Sequence, residues 1–283
     1  MKTFKLRIKK DAARDLGKFS LREKKRFKYF RRKFPVILDA LNKTKIKYAV
    51  LKGGFLAFDI FPPGSRYLSD IDIVVMENDR CTAEKALARE GFKKEESKSS
   101  KNVTVMTDPN GLEVELATEL GVLKSILPVE ELLCNTVKVK LVNRTARVLR
   151  NEYNLLHLCL HASMTHSFYD ISKLVDINEF LKSKHIDIEE FELLARKKGV
   201  YRAVFIPIQQ CGIFWKNPAG LKYNIKAGLA VRLIRYNLES ALKTEYDKRS
   251  AFYGYLIPVL IADSWRLRFK MIMDYMKSRE WGM

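Results

Sequence analysis

The hydrophobic pattern of the chain changes once, near Leu149, and this change limits the folds that the chain can adopt. Before it, short runs with the two-residue alternation of β-strands lie between helical patterns. After it, every clear pattern has the helical period of 3.6 residues. This order predicts an α+β fold class with a mixed sheet, followed along the chain by an all-helical domain.

The individual elements can be predicted from periodicity and from Gly and Pro signals. Pro35 suits the first turn of a helix, so a helix is expected from Pro35 to Leu41. Gly53 and Gly54 are expected to form a turn that opens a helix at 55–61. The remaining predictions are strands at 47–51, 70–75, 103–107, 112–117 and 137–142, and helices at 81–90, 152–164, 171–183, 188–198, 201–214 and two or three after 223.

These elements suggest three segments: a basic N-terminal extension at 1–33, a mixed α/β domain at 34–147 and a helical domain at 148–283. No Gly- or Ser-rich linker separates the last two. They are therefore expected to pack closely across a cleft.

The basic residues are concentrated at the N-terminus. The chain has 283 residues and a net charge of +20. Its first 33 residues hold 15 Lys and Arg against three Asp and Glu, a net charge of +12. This density favours polyanionic partners such as nucleic acid, nucleoside triphosphates or anionic membrane, although a solvated helix face would look similar. Phe27, Phe30 and Phe34 interleave with the charges and predict a helix that docks its aromatic side.

Signals for export or membrane insertion are weak. No apolar segment follows the basic N-terminus, as a secretory signal would require. The longest apolar stretch, at 255–262, is too short to cross a bilayer. The four cysteines are widely spaced and predict reduced thiols rather than a zinc or redox motif. We therefore expect a cytoplasmic protein without a transmembrane segment.

Acidic residues cluster on two predicted strands. Asp70 and Asp72 share one strand face, and such like charges are costly unless a cation compensates them. Carboxylates in this arrangement suit Mg²⁺ bound together with substrate phosphates. Glu113 or Glu115, on the following hairpin, could supply a third carboxylate for a two-metal displacement at phosphorus. A solvated edge strand is the simpler alternative for Asp70 and Asp72 alone.

Glycines and basic residues near the acidic strand point to phosphate binding. Gly53 and Gly54 would give a phosphate close access to backbone N–H groups at a helix N-terminus. Lys52 and Arg66 lie on either side of this turn in the sequence and add positive charge. The combination of this turn with the acidic strands makes the edge-strand alternative less attractive.

The motifs resemble a known family. Three segments resemble the nucleotidyltransferases of the DNA polymerase beta superfamily: Leu51-Lys-Gly-Gly-Phe-Leu56, Arg66-Tyr-Leu-Ser-Asp-Ile-Asp-Ile-Val-Val75 and Val114-Glu-Leu116. Within it, the chain is similar to an uncharacterised nucleotidyltransferase family, and the resemblance continues through the helical segments 155–162 and 174–177. It covers roughly residues 36 to 200.

The resemblance implies a polymerase-beta-like nucleotidyltransferase domain at 34–147 and transfer of a nucleoside monophosphate from an NTP, such as ATP, to an acceptor hydroxyl. Two Mg²⁺ ions would be held by three catalytic carboxylates, Asp70, Asp72 and Glu115, of which Glu115 could be the general base. The basic charge makes RNA a candidate acceptor. The implied nucleotide contacts are Lys52, Gly53, Gly54, Arg66, Ser69 and Lys173.

Several alternatives remain open in the sequence. His157 and His161 have a spacing that can bind zinc, but their apolar helix favours hydrogen-bonded core histidines. For Lys173, an exposed lysine on an amphipathic helix is the simpler alternative. Two other functions compete with catalysis on RNA: a catalytically inactive nucleic-acid-binding protein, and a small-molecule adenylyltransferase of the aminoglycoside type. The oligomeric state has no signal in the sequence.

Overall fold

A computed structural model describes the chain at residues 10–215, 228–243 and 256–280. The first nine residues of the basic segment and part of the region after Tyr223 lie outside these ranges. Within them, a mixed β-sheet is followed by helices, which confirms the predicted fold class. The division into domains stays a prediction.

The sheet has seven strands in the order β3-β4-β5-β2-β1-β7-β6. Strand β2 pairs in parallel with β5 and antiparallel with β1, so the sheet is mixed. The acidic strand and the acidic hairpin are therefore neighbours near the centre. The strands are β1 Tyr48–Val50, β2 Asp70–Val75, β3 Lys93–Lys94, β4 Val103–Thr107, β5 Glu113–Ala117, β6 Thr136–Leu141 and β7 Arg144–Leu149.

Helices cover the sheet, and every regular element described after β7 is helical. Asp170 and Asp187 cap two of them, because each carboxylate accepts a hydrogen bond from a backbone N–H in the first turn. A π-helical turn, His161–Thr165, follows α5. The helices are α1 Lys10–Thr44, α2 Lys52–Asp59, α3 Arg80–Arg89, α4 Val129–Cys134, α5 Asn151–Leu160, α6 Ile171–Ser183, α7 Ile188–Lys197, α8 Tyr201–Phe214, α9 Leu229–Lys243 and α10 Trp265–Glu280, with short 3₁₀ turns at Glu77–Asp79 and Gly121–Leu123 and a helical segment at 256–261.

Helix α1 differs from the prediction, which placed its start at Pro35. The helix is 35 residues long and Pro35 lies inside it. An internal proline costs roughly 3 kcal/mol, but an apolar stripe continues across it from Phe27 and Phe30 to Leu41, all buried. Burial of this stripe against the rest of the protein stabilises the helix by more than the internal proline costs. The basic segment from Leu21 to Lys33 is therefore continuous with the fold.

Three elements before α5 were not predicted: β3, α4 and β7. Strand β7 pairs antiparallel with β6 through a tight turn at Val142 and Asn143, whose φ angles are +47° and +61°. Two positive φ angles are typical of a type I′ hairpin turn, which usually contains Gly. The turn lacks this signal, and the returning strand was missed.

The Gly53-Gly54 pair lies inside the first turn of α2 and does not form a separate turn before it. Gly54 is packed between the central strands. A Cβ at this position would lie 2.9 Å from Val50 Cγ1 and 3.3 Å from Ile71 Cγ2. The glycine thus lets α2 approach β1 and β2 closely.

We expect Gly54→Ala to lower the free energy of unfolding by about 1–3 kcal/mol, because the added methyl group overpacks a buried contact. Urea denaturation of the two proteins measures the difference. Gly228→Ala is the control, since a Cβ at that position meets no atom of the described residues within 4 Å. Equal midpoints for Gly54→Ala and wild type would show that the strands can shift to accept the methyl group.

Among the described residues, no helix combines the length and the apolar character that crossing a bilayer requires.

Candidate active site

Three carboxylates meet at the centre of the sheet. In the parallel pairing of β2 with β5, Asp72 lies opposite Glu115 and Asp70 lies opposite Glu113. Asp70, Asp72 and Glu115 each place a carboxylate oxygen within 4.8 Å of the other two. Glu113 instead forms an ion pair with Lys98. Of Glu113 and Glu115, the two candidates for the third carboxylate, it is Glu115 whose carboxylate lies beside those of Asp70 and Asp72.

A cleft of about 530 Å³ opens in front of the three carboxylates. The sheet, α2 and the loop before β2 form one wall, and residues from α5 to α6 form the other. Of the residues predicted for nucleotide binding, only Gly54 does not line it. The lining residues are Lys52, Gly53, Phe61, Ser65, Arg66, Tyr67, Ser69, Asp70, Asp72, Glu115, Leu158, His161, His166, Asp170, Ser172, Lys173, Val175 and Asp176.

Two of the predicted cations are held by carboxylates across the fold. Lys52 Nζ lies 2.7 Å from Asp72 Oδ1. Arg66 donates two hydrogen bonds of 2.8 Å to the buried Asp176 of α6, one to each carboxylate oxygen. The Arg66 pair joins the two walls of the cleft, so its guanidinium is fixed in orientation.

Lys173 and Ser69 have local partners. Lys173 Nζ lies 3.2 Å from Asp170 Oδ2 at the start of α6. The Ser69 hydroxyl donates to Asp70 Oδ1 at 2.7 Å, and the Ser69 carbonyl accepts a hydrogen bond from Arg26 of α1. Ser69 therefore orients a carboxylate and connects the carboxylate cluster to the basic helix.

The carboxylate cluster carries more negative charge than its surroundings neutralise. Burial, together with the charges of Asp72 and Asp70, raises the pKa of Glu115 to about 7. Burial and the Asp72 charge also raise the pKa of Asp70. Hard oxygen ligands in a partly buried, electron-rich cluster are the donor set that Mg²⁺ prefers, so these residues fit a divalent metal.

The chain matches the sequence profile of a family described as uncharacterised nucleotidyltransferases, over residues 3–215. The chain belongs to this family. The match extends beyond the region of roughly 36 to 200 in which the motifs were recognised and includes all of α1. Family membership makes the chain a nucleotidyltransferase, an enzyme that transfers nucleotidyl groups.

Three solved structures resemble this nucleotidyltransferase more distantly. The lincomycin-bound lincosamide antibiotic adenylyltransferase LnuA is 17% identical, with a TM-score of 0.37 over 51% of this chain and 91% of its own. An antigenic nucleotidyltransferase-like protein from Paracoccidioides brasiliensis is 14% identical, with a TM-score of 0.42 over 82% and 96%. The nucleotidyltransferase toxin MenT4 from Mycobacterium tuberculosis is 12% identical, with a TM-score of 0.43 over 89% and 93%. No curated protein sequence matches the chain.

Histidines on the helical wall of this nucleotidyltransferase were missed as cleft residues. His157 is buried, as predicted for a core histidine, but its Nδ1 has no hydrogen-bond partner among the described residues. Burial and the charge of Lys52 lower its pKa to about 3. His161 and His166 line the cleft and contact each other edge to face, with ring centroids 4.5 Å apart. No sequence motif marks His166. The π-helical turn that begins at His161 cannot be predicted from the sequence, although such turns are frequent at functional sites.

Proposed function

We propose that this enzyme transfers a nucleoside monophosphate from an NTP, such as ATP, to an acceptor hydroxyl in a Mg²⁺-dependent reaction. One observation carries the proposal: Asp70, Asp72 and Glu115 converge within 4.8 Å at a cleft that basic side chains also line. Carboxylates hold divalent cations, and basic groups bind phosphates. Their combination suits displacement at phosphorus.

In this proposal, Asp70, Asp72 and Glu115 hold two Mg²⁺ ions. When bound, the metal supplies positive charge to the phosphate oxygens and helps to activate the attacking oxygen. The Glu115 carboxylate accepts the proton of the acceptor hydroxyl as that oxygen attacks the α-phosphorus of the NTP, and the bond from this phosphorus to the bridging oxygen of the β-phosphate breaks to release pyrophosphate. Ser69, through its hydrogen bond to Asp70 Oδ1, fixes the orientation of that carboxylate.

The phosphate chain of the NTP binds to Lys52, Arg66 and Lys173, which approach the cleft from three elements. Arg66 is held by Asp176, so it contributes charge without the entropic cost of ordering a long side chain. Gly53 lies beneath it: a Cβ on Gly53 would lie 2.9 Å from Arg66 Nη1. Gly53 therefore leaves room for the guanidinium, and Gly54 acts through packing.

Incubation with each α-³²P-labelled NTP, Mg²⁺ and a fractionated cell extract tests the proposal. We expect label from at least one NTP to enter one class of macromolecule or small molecule, and EDTA to abolish it. Absence of label with every NTP and every fraction would contradict transfer and favour the inactive nucleic-acid-binding alternative. Label in a small cationic compound would favour the aminoglycoside-type alternative.

We propose RNA as the acceptor class, because the basic helix α1 borders the cleft. Arg26 of α1 donates to the Ser69 carbonyl at 2.7 Å, beside Asp70, and its guanidinium lies over the ring of Tyr67, which lines the cleft. An RNA whose phosphates bind along the surface of α1 would therefore reach the three carboxylates. The exposed cations of this surface are Arg22, Lys24, Lys25, Lys28, Arg31 and Arg32.

We expect the triple variant Lys24→Gln, Lys28→Gln, Arg31→Gln to bind single-stranded RNA more weakly, because these residues follow one another at helical spacing on α1. Loss of three phosphate contacts should lower the slope of log K against log salt by about 2. Filter binding at several salt concentrations measures it. Gln substitutions at Lys43, in the last turn of α1, and at Lys45 and Lys47, just after the helix, are the control, because all three are exposed far from the cleft end of α1. Equal slopes for both triples would remove α1 as the RNA surface.

We also propose a cytoplasmic location. The four cysteines, Cys81, Cys134, Cys159 and Cys211, form no disulfide. Unpaired cysteines are typical of reducing compartments, where NTPs are also supplied.

A further inference from the structure

The ammonium group of Lys52 lies within the carboxylate cluster itself. Its Nζ is 2.7 Å from Asp72 Oδ1, and three quarters of the Lys52 side chain is shielded from solvent. Lys52 is the first residue of α2 and has a φ of +39°, a backbone conformation that is unfavourable for a residue with a side chain. The fold thus holds a lysine at this point despite a local cost.

The groups around Lys52 keep it charged. Burial alone would lower the pKa of Lys52, but the Asp72 charge, with smaller effects from Glu115 and Asp70, raises it overall. On the helical side, burial and the charge of Lys52 lower the pKa values of His157 and His161, and burial lowers that of His166, so these rings are neutral. The carboxylates are therefore the groups that attract the ammonium.

We propose that Lys52 is an internal competitor of the metal: it occupies Asp72 until a nucleotide arrives, and then moves its charge from Asp72 to the phosphates. This inference rests on the proposed function and concerns the order in which the same site is filled. Lys52 is a positioning residue in this role, because it controls the carboxylate that the metal needs.

The argument follows from charge and burial. A divalent cation at Asp72 would lie beside the Lys52 ammonium, and displacing the ammonium would leave a shielded positive charge without a partner. An NTP removes this penalty, because its phosphates offer the ammonium a new anion. Metal and nucleotide should therefore bind with positive coupling, and either alone should bind weakly.

A static ion pair makes the opposite prediction. If Lys52 only orients Asp72 for the metal, its removal will leave metal affinity unchanged or lower it. If Lys52 competes with the metal, its removal will raise metal affinity in the absence of nucleotide. The sign of the change separates the two roles.

The first experiment measures binding of Mn²⁺ alone by electron paramagnetic resonance of the free ion, at fixed pH and without nucleotide. We expect Lys52→Met to bind Mn²⁺ about tenfold more tightly than wild type, and Lys52→Arg, which keeps the charge, to bind it weakly. Lys98→Met is the matched control, because it removes a lysine from Glu113, on the same strand as Glu115 but outside the cluster. Unchanged or weaker Mn²⁺ binding by Lys52→Met would overturn the inference.

The second experiment measures binding of tripolyphosphate without metal by calorimetry, and it does not require the Lys52 variants to fold. Asp72→Asn releases Lys52, whereas Asp70→Asn removes a similar charge that Lys52 does not contact through a hydrogen bond. We expect Asp72→Asn to bind tripolyphosphate about tenfold more tightly than Asp70→Asn. Equal affinities for the two variants would also overturn the inference.

The two proposals fail in different ways. If wild type binds Mn²⁺ and Asp70→Asn does not, while Lys52→Met gains nothing, the metal site stands and the competition by Lys52 is wrong. If neither wild type nor Lys52→Met binds Mn²⁺ more tightly than Asp70→Asn does, the carboxylates are not a metal site, and the proposed function and this inference fall together.

Discussion

Asp70→Asn is expected to lower the rate of nucleotidyl transfer about 10³-fold or more, equivalent to roughly 4 kcal/mol of transition-state stabilisation. The substitution keeps the shape of the side chain but removes one negative charge from a cluster that is proposed to hold divalent cations. The rate of label transfer from α-³²P NTP under saturating Mg²⁺ measures the effect. Circular dichroism of the variant checks that the sheet is intact.

Glu113→Gln provides a matched control for Asp70→Asn. Glu113 lies opposite Asp70 in the strand pairing and on the same strand as Glu115, but its carboxylate pairs with Lys98. We expect this variant to transfer label at close to the wild-type rate. Comparable losses of transfer rate in Glu113→Gln and Asp70→Asn would mean that the total negative charge of β2 and β5 determines the rate, and not the position of the three converging carboxylates.

Asp176→Asn is expected to lower the free energy of unfolding by about 2–4 kcal/mol. The side chains of Asp176 and Arg66 are 6% and 14% exposed, so the substitution leaves a shielded guanidinium without its carboxylate. It also loosens the connection between the sheet wall and α6. Urea denaturation followed by tryptophan fluorescence measures the change.

The same helix offers a control for the Asp176 variant. Glu179 pairs with Lys182 one turn further along α6, with Nζ 2.6 Å from Oε1 and both side chains substantially exposed. Such surface pairs contribute little, so Glu179→Gln should change the free energy of unfolding by about 0.5 kcal/mol or less. A loss as large as that of Asp176→Asn would mean that α6 responds to any loss of acidic charge.

Strand β2 shows what the sequence can predict about the site. Its alternation of acidic and apolar residues predicted both its bounds and the shared face of Asp70 and Asp72, and the structure confirms both. The two strands of the hairpin that follows, predicted at 103–107 and 112–117, are also found, to within one residue. The residues between them, Asp108-Pro-Asn-Gly111, are typical of a turn. Local patterns of this kind depend only on neighbouring residues.

The choice of the third carboxylate required the structure. Glu113 and Glu115 share a strand face, so alternation cannot distinguish them. The distinction depends on how far β5 is offset along β2, and this register arises from packing between segments about 40 residues apart. For the same reason, the pairs of Lys52 with Asp72 and of Arg66 with Asp176 could not be assigned from the sequence.

The start of α1 was predicted wrongly because a local rule was applied to a segment whose conformation is set by distant contacts. Proline does favour the first turn of helices. Here the aromatic residues before Pro35 find buried positions against the rest of the fold, and this burial keeps the helix continuous. A periodic apolar stripe on both sides of a proline is the signal that could have indicated it.

The contact between Arg66 and Asp176 spans 110 residues of sequence. During synthesis the N-terminal part of a chain leaves the ribosome first and begins to fold before the rest. The strands that carry the three carboxylates are therefore complete well before α6 emerges. A nascent chain that ends before α6 has the three carboxylates but lacks Asp176 and Lys173, so the cleft can be complete only after α6 has been translated.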